Sequence, residues 1–413
     1  MGVMFGNLDH TAELEAPSVR AGRFTFNRQL AEFHSTIFAE MSALAVATSS
    51  INLGQGFPDS DGPHEIADAA IEAIRAGHNQ YPPGPGIPEL RRAVALHQLR
   101  YYGIEVDSET EVLITAGATE AVCAAMVGLC NQGDEVVLFE PFYDSYAASV
   151  AIAGATRKVV SLKGARFEFE PSDLKKVISD RTKIILLNTP HNPTGKVFTE
   201  QELSAIAEIV VENDLLVVVD EVYEHLVFEG RHLPISTFPG MRDRTLTISS
   251  AAKSFSFTGW KVGWATGPAP LVAATRSAKQ FMTYVNAAPF QHAISYALDN
   301  AELFTEQVRR PMEEQRNLLV EGLNRLGFST FPTSGTYFVV SDLGGSSGSS
   351  AARFCVELAN LAQVVTIPVS AFYHDQTKDK GQIRWTFCKR PEVIEEALRR
   401  LTDHRDQIKT MVF

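Results

Sequence analysis

The chain has 413 residues, 45% of them hydrophobic and 21% charged, which is the profile of a globular protein large enough for two domains. Its formal net charge of −12, with acids and bases interspersed, argues against nucleic acid or an anionic membrane as the main partner, because both require a basic face. No apolar run reaches bilayer length, no signal peptide opens the chain, and the four cysteines (Cys123, Cys130, Cys355, Cys388) lack metal-site or redox spacing, so a cytoplasmic protein with reduced thiols is expected.

Residues 1–30 lack sustained periodicity and read as an N-terminal arm, with 31–58 as the N-terminal part of a smaller domain. From about 110, β-branched runs alternate with helical segments. EVLITAG, DEVVLFEP, RKVVSL, TKIILLNTP and LLVVVDEVY read as strands, with TEAVCAAMVGLC, DSYAASVAIAG, SDLKKVIS and EQELSAIAEIVVEN as helices among them. Strands that are apolar throughout predict an α/β fold, with a mostly parallel sheet covered by helices on both faces. TLTISS and KVGWATG are two further strands with no helix expected between them, which predicts an antiparallel pairing. Near 300 the pattern changes. ELFTEQVRRPMEEQRNLLVEGLNRL is helical, and Pro311 is expected to kink or split it. TYFVVSD, AARFCVELANLA, VVTIPVS, QIRWTFC and VIEEALRRLTDHR then form a smaller α+β unit, with GGSSGSS (344–350) as a surface loop. The expected domains are therefore 59–300, large, and 301–413, small.

Ligands of an open α/β sheet sit at the carboxyl ends of its strands. The residues predicted there are Ala116-Gly117-Ala118-Thr119, Glu140-Pro141-Phe142-Tyr143, Asn188 through Gly195, Asp220-Glu221-Val222-Tyr223, and Ser250 followed by Lys253. Each has an ordinary explanation when taken alone. Small residues before a helix make a turn, NPTG is a turn signature, Tyr143 and Tyr223 suit a core, and a lone lysine suits a surface loop. Together they match one ligand, pyridoxal phosphate (PLP). Its ring nitrogen needs a carboxylate, its aldehyde a lysine, its ring face an aromatic, and its phosphate a helix N-terminus with cationic or hydroxyl partners. The dinucleotide, P-loop and HExxH motifs are absent, and no metal is expected.

From about residue 35 to the C-terminus the sequence resembles the class I aminotransferases of PLP fold type I. The resemblance rests on NLGQGFPD, NQYPPGPG, TAGATEA, EPFYDSY, TPHNPTGKV, DEVYEHLVF, SSAAKSFSFTGWKVGW and IRWTFCKR. It is similar above all to the kynurenine, glutamine and methionine aminotransferase subgroup, and YPPGPG and EPFYDSY to actinobacterial N-succinyldiaminopimelate aminotransferases. The resemblance implies that Lys253 carries the cofactor and acts as general base, and that 59–300 is the PLP-binding domain. It further implies that Asp220 pairs with the ring nitrogen, Tyr223 and Asn192 bond the ring oxygen, and Tyr143 stacks on the ring. The phosphate would meet the backbone at Ala118 and Thr119, the Ser250 hydroxyl and the Lys261 side chain, where many relatives have arginine. Tyr81 would reach the phosphate of a neighbouring subunit, implying a homodimer with shared active sites. Arg384 would bind the substrate α-carboxylate, helped by Gly56 and Asn192.

The implied substrates are an amino acid and a 2-oxo acid, with glutamate and 2-oxoglutarate as one pair. Relatives that prefer aromatic substrates usually carry tryptophan or a similar ring at the position of Phe38 and an aromatic near Asn286. Asn286, followed by Ala287 and Ala288, leaves a roomier and more polar side pocket. That favours a long acyl-amino substrate such as N-succinyl-LL-diaminopimelate of lysine biosynthesis. If Tyr284 refills the space, a broad kynurenine/glutamine/methionine specificity with cysteine-S-conjugate β-lyase activity is expected instead. A PLP-binding regulator is disfavoured, because the leader is too short for a winged helix-turn-helix and has no basic cluster. A decarboxylating or synthase relative on the same fold remains open.

Overall fold

The β-branched runs assemble into one seven-stranded sheet in the computed structural model, which describes residues 27–33, 36–344, 350–377 and 379–412. The spatial order is Val112–Thr115, Gly263–Thr266, Thr245–Ser250, Leu216–Asp220, Thr182–Asn188, Glu135–Glu140, Thr156–Ser161. Gly263–Thr266 runs antiparallel to both its neighbours, and the other pairings are parallel. The inner strands are buried along nearly their whole length, as a sheet with helices on both faces requires. Helices Gly117–Leu129, Asp144–Ile152 and Glu200–Glu212 fall where the sequence places them. The last of these starts on a reciprocal capping box between Thr199 and Glu202.

The C-terminal part overturns the expected split at Pro311. Helix Ala301–Leu326 runs unbroken through Pro311. Its buried face (Phe304, Val308, Met312, Leu319, Leu323) keeps helical spacing on both sides of the proline, and that packing outweighs one missing N–H donor. Beyond it, an antiparallel sheet has the order Ile367–Pro368, Gln382–Thr386, Phe338–Asp342, Ser329–Thr330. Ile51–Asn52 pairs in parallel with Val364–Val365. The amide of Leu53 then bonds Val365 O (2.9 Å), and Leu53 O accepts from the Thr386 amide (2.7 Å). These bonds lay Gly54–Phe57 against the smaller sheet, facing the rim of the larger one. All four cysteines are free. Among the described residues no helix is long and apolar enough to cross a membrane. Residues 1–26 of the expected arm and 345–349 of the Gly/Ser run lie outside the described residues.

Candidate active site

Parallel register brings the strand ends to one edge. Asn188 pairs with Asp220, Asp220 with Ile248, and both Ser250 and Thr115 with Gly263. A cavity of about 370 Å³ opens there, between the sheet rim and Gly56–Phe57. Its wall includes Lys253, Asp220, Tyr223, Asn192, Tyr143, Ser250, Ala118, Thr119, Lys261, Arg384, Gly56 and Phe38, so twelve residues singled out from the sequence converge on one space.

Asp220 ends its strand with a buried carboxylate that accepts from Tyr146 OH (2.7 Å) and the Val222 amide (3.2 Å). It forms no ion pair among the described residues. Burial raises its pKa, against the pull of those two donors and of Lys253. Lys253 lies in the short helix Ala251–Ser254, and its amine donates to the Tyr337 hydroxyl. Burial is the main cause that lowers the amine from 10.5 to about 8; Lys261 and Arg384 act in the same direction, while Cys388 and Asp220 oppose. Burial likewise drives the Tyr223 hydroxyl upward, so it stays a neutral donor.

One corner of the cavity is built for an anion. Gly117 begins the 13-residue helix Gly117–Leu129 at φ +79°. A Cβ there would meet Lys261 Nζ at 3.1 Å, so the ammonium sits directly over the helix N-terminus. A Cβ on Gly263 would meet the Gly117 carbonyl carbon at 2.7 Å, which fixes how closely the strand and the helix start approach. Unpaired N–H groups, a helix dipole and a lysine thus point at one spot.

The opposite wall carries Arg384, which is 0% exposed although arginine in such a strand would otherwise be an edge or surface charge. Its strand lies between two others, with Arg384 opposite Val340 on one side and Ile367 on the other. The guanidinium donates to Asn192 Oδ1 (3.0 Å) and Gly54 O (2.7 Å), while its Nε has no partner. Phe338, Phe372 and Phe38 surround it at 3.9, 4.8 and 5.3 Å from their ring centroids. Among the described residues no carboxylate pairs with this cation. A buried charge without a counterion is costly, and here it faces a cavity.

Tyr81 and Asn286 do not join the cavity wall. Tyr81 is 80% exposed and stands edge-on to Tyr284, 5.5 Å between centroids. The Asn286 amide nitrogen donates to Thr115 O and Lys261 O, both at 3.1 Å. This braces the anion corner from behind. Other residues escaped the sequence reading altogether. Tyr146 sits three positions beyond Tyr143, so helical spacing could have flagged it. Tyr337 carries no such signal. Below the rim lies a buried polar cluster: His97 Nε2 meets His225 Nε2 at 2.8 Å, Tyr102 donates to Glu224 (2.6 Å), and His232 pairs with Glu221 (3.0 Å). Ligand atoms of His97, Glu224 and His225 come within 4.8 Å of one another, a grouping that no sequence spacing announces. Each of the three already has a hydrogen-bond partner.

Comparison with known proteins agrees with this geometry. Residues 48–401 match the family model described as aminotransferase class I and II. The probable N-succinyldiaminopimelate aminotransferase of Mycobacterium tuberculosis is 48% identical over 385 residues, covering 91% of this chain and 97% of that protein. The methionine aminotransferase of Escherichia coli is 36% identical over 374 residues, covering 90% and 97%. The solved structure of the M. tuberculosis N-succinyldiaminopimelate aminotransferase superposes with a TM-score of 0.89, covering 92% of this chain and 100% of that one. The chain belongs to the class I and II aminotransferases, PLP-dependent enzymes of fold type I that act on amino acids and 2-oxo acids.

Proposed function

We propose that the cavity holds PLP through Lys253, Asp220, Tyr223, Asn192, Tyr143, Ser250, Lys261 and the backbone at Ala118 and Thr119, and the substrate α-carboxylate through Arg384, Gly56 and Asn192. The residues present fit the cofactor. The buried Asp220 carboxylate lacks a cationic partner, as a site for a protonated ring nitrogen requires. The Gly117 cradle beneath Lys261 fits a phosphate. When bound, PLP supplies the electron sink that makes the substrate Cα–H acidic and carries the amino group between half-reactions. The protein's own part is positioning and proton transfer. Arg384 fixes the substrate through its carboxylate, and the three phenyl rings around it exclude water and strengthen that pairing. Lys253 Nζ, brought to about 8 chiefly by burial, is neutral often enough near physiological pH to take the proton from Cα of the amino donor, and in its protonated form can deliver one to Cα of the second substrate. Asp220 holds positive charge at the far wall, and Tyr146 keeps its carboxylate oriented.

The single observation that carries this reading is Arg384, a fully buried cation without a counterion on the wall of the cavity that also holds Lys253. On domain organisation we propose 31–58 and 301–413 as one small unit and 59–300 as the PLP-binding unit, since Gly54–Phe57 are bonded to the C-terminal sheet. Tyr81, exposed beside Tyr284, suits a contact with the phosphate corner of a second copy in a cytoplasmic homodimer.

For the substrate we propose N-succinyl-LL-diaminopimelate, with glutamate and 2-oxoglutarate as the other pair. The M. tuberculosis relative named for that substrate is 48% identical, against 36% for the methionine aminotransferase. Space supports it as well. The first cavity is at the small end of the usual ~300–1,000 Å³ and must take cofactor and substrate together. A second cavity of about 500 Å³ shares Phe38, Tyr143 and Ser145 with it, giving a long substrate room to extend. Initial rates with N-succinyl-LL-diaminopimelate, methionine and kynurenine, each against 2-oxoglutarate, test this. The acylated substrate is expected to give the highest kcat/KM. A larger value for kynurenine or methionine would overturn the assignment and leave the broad specificity.

A further inference from the structure

The lysine amine has a partner that nothing in the sequence singled out. Tyr337 is 1% exposed and enters the site from the turn before strand Phe338–Asp342. Its backbone is held in two directions. Tyr337 O accepts from the Phe387 amide (3.0 Å) and Thr386 Oγ1 (3.2 Å), next to the Arg384 strand. The preceding residue, Thr336, donates its amide to Leu226 O at 2.9 Å, in the loop that carries Tyr223. The ring has little freedom, because Tyr223 stands edge-on at 5.2 Å and a Cβ on Gly56 would meet Tyr337 Cε2 at 3.1 Å. The phenol is therefore placed by the same segments that place Arg384, Gly56 and Tyr223.

Three polar groups face this phenol, Gly56 O, Lys253 Nζ and the Tyr223 hydroxyl, and of these Gly56 O alone can do nothing but accept. The phenol donates to Gly56 O, and a carbonyl oxygen can only accept. The phenol has one proton, so towards Lys253 it can only accept, and Lys253 Nζ must donate. A neutral amine has two N–H bonds and one lone pair. With one N–H committed to Tyr337, the lone pair cannot be capped by the phenol and stays available to the cavity. If Gly56 O were not holding the phenol proton, the hydroxyl could turn and donate to the amine, occupying the electron pair that a base needs.

We propose that Tyr337 is a positioning residue for the general base: with Gly56 O as its anchor, it holds the free Lys253 amine with its lone pair directed to the substrate Cα. This rests on the reading of Lys253 as the base. Tyr337 remains a neutral phenol throughout. The proton moves from Cα to Nζ, and the amine gains an N–H without losing the one on Tyr337. Because Gly56 also belongs to the proposed carboxylate seat, which its amide N–H would serve, the base and the substrate anchor share one residue as reference point.

The test is Tyr337→Phe in the cofactor-loaded enzyme, with Lys253→Ala run in parallel. The phenylalanine variant keeps the ring and removes one oxygen. Single-turnover conversion of an amino donor is measured with hydrogen and with deuterium at Cα. The expected result is a ~10- to 100-fold slower turnover, below the ~100- to 10,000-fold that the acid–base group itself contributes because Tyr337 only positions it, and a larger deuterium effect. KM should change less than about threefold, with cofactor absorbance per chain unchanged. The apoprotein of Tyr337→Phe should also capture added PLP about tenfold more slowly, since the same lone pair makes that attack; this measurement needs no turnover. A kcat within twofold of wild type with an unchanged isotope effect overturns the proposal. So does a rate loss fully explained by lost cofactor. If Lys253→Ala still transfers amino groups at the wild-type rate, the reading of Lys253 itself fails. If that variant is inactive while Tyr337→Phe is normal, only the role of Tyr337 fails.

Discussion

Arg384→Met separates binding from stability. A substrate carboxylate on the guanidinium gains two charge-assisted hydrogen bonds, worth about 1.5–3 kcal/mol each, so the variant loses about 3–6 kcal/mol of transition-state stabilisation. That corresponds to a roughly hundred- to ten-thousandfold lower kcat/KM. Folding should respond differently. Asn192 Oδ1 and Gly54 O lose a donor, at about 1–3 kcal/mol each. Against this, an unpaired cation leaves a fully buried site among three phenyl rings, which relieves several kcal/mol, and methionine fills the apolar space. The two contributions roughly offset, so the substrate-free enzyme should unfold within about 2 kcal/mol of wild type. The assay pairs steady-state kinetics with denaturant unfolding, with and without an unreactive carboxylate analogue. At a hundredfold excess over Kd the analogue should stabilise wild type by about 2.7 kcal/mol and Arg384→Met by almost nothing. An unchanged kcat/KM, or the same analogue stabilisation in the variant, would refute the reasoning.

Three further outcomes follow from the geometry. In the apoprotein Lys253 binds its proton less tightly than in the unfolded chain, about 8 against 10.5, so stability should rise with pH between those values. Lys253→Met should remove that rise, about 2 kcal/mol between pH 8 and pH 10, as read by unfolding at those two values. Gly117→Ala places a side chain at φ +79° and against Lys261 Nζ, so PLP titration of the apoprotein should show at least tenfold weaker binding, from ~1–2 kcal/mol of strain plus the displaced ammonium. His232→Ala strands the Glu221 carboxylate, which has 0% side-chain exposure, and should cost about 3–5 kcal/mol in unfolding experiments; His232→Ala with Glu221→Gln should recover much of it.

The parallel sheet was legible because its strands are apolar on both faces, a pattern that a solvent-facing sheet does not need. The cavity was legible for a related reason: Asp220 and Asn188 are polar residues at the ends of apolar runs, and register alone brings them together. Pro311 misled because a local rule about one N–H was overruled by packing along the whole helix. The partners of Asn286 were not legible for a different reason. Its amide is committed to two backbone carbonyls, and a backbone acceptor has no residue type to read. Tyr337 and Gly56 are 281 positions apart, and nothing in either local sequence points to the other.

Lys253 and Lys261 lie on the same connection, between strands Thr245–Ser250 and Gly263–Thr266. On the proposed reading they grip opposite ends of one small molecule. Once the phosphate end is docked, the aldehyde meets its amine at an effective concentration set by this short span rather than by bulk solution. Either half alone, inorganic phosphate or the unphosphorylated vitamer, should therefore bind far more weakly than the two affinities would suggest when combined. The connection acts as a chelator for its own cofactor, and retention in dilute solution is a property of the pair of lysines rather than of either one.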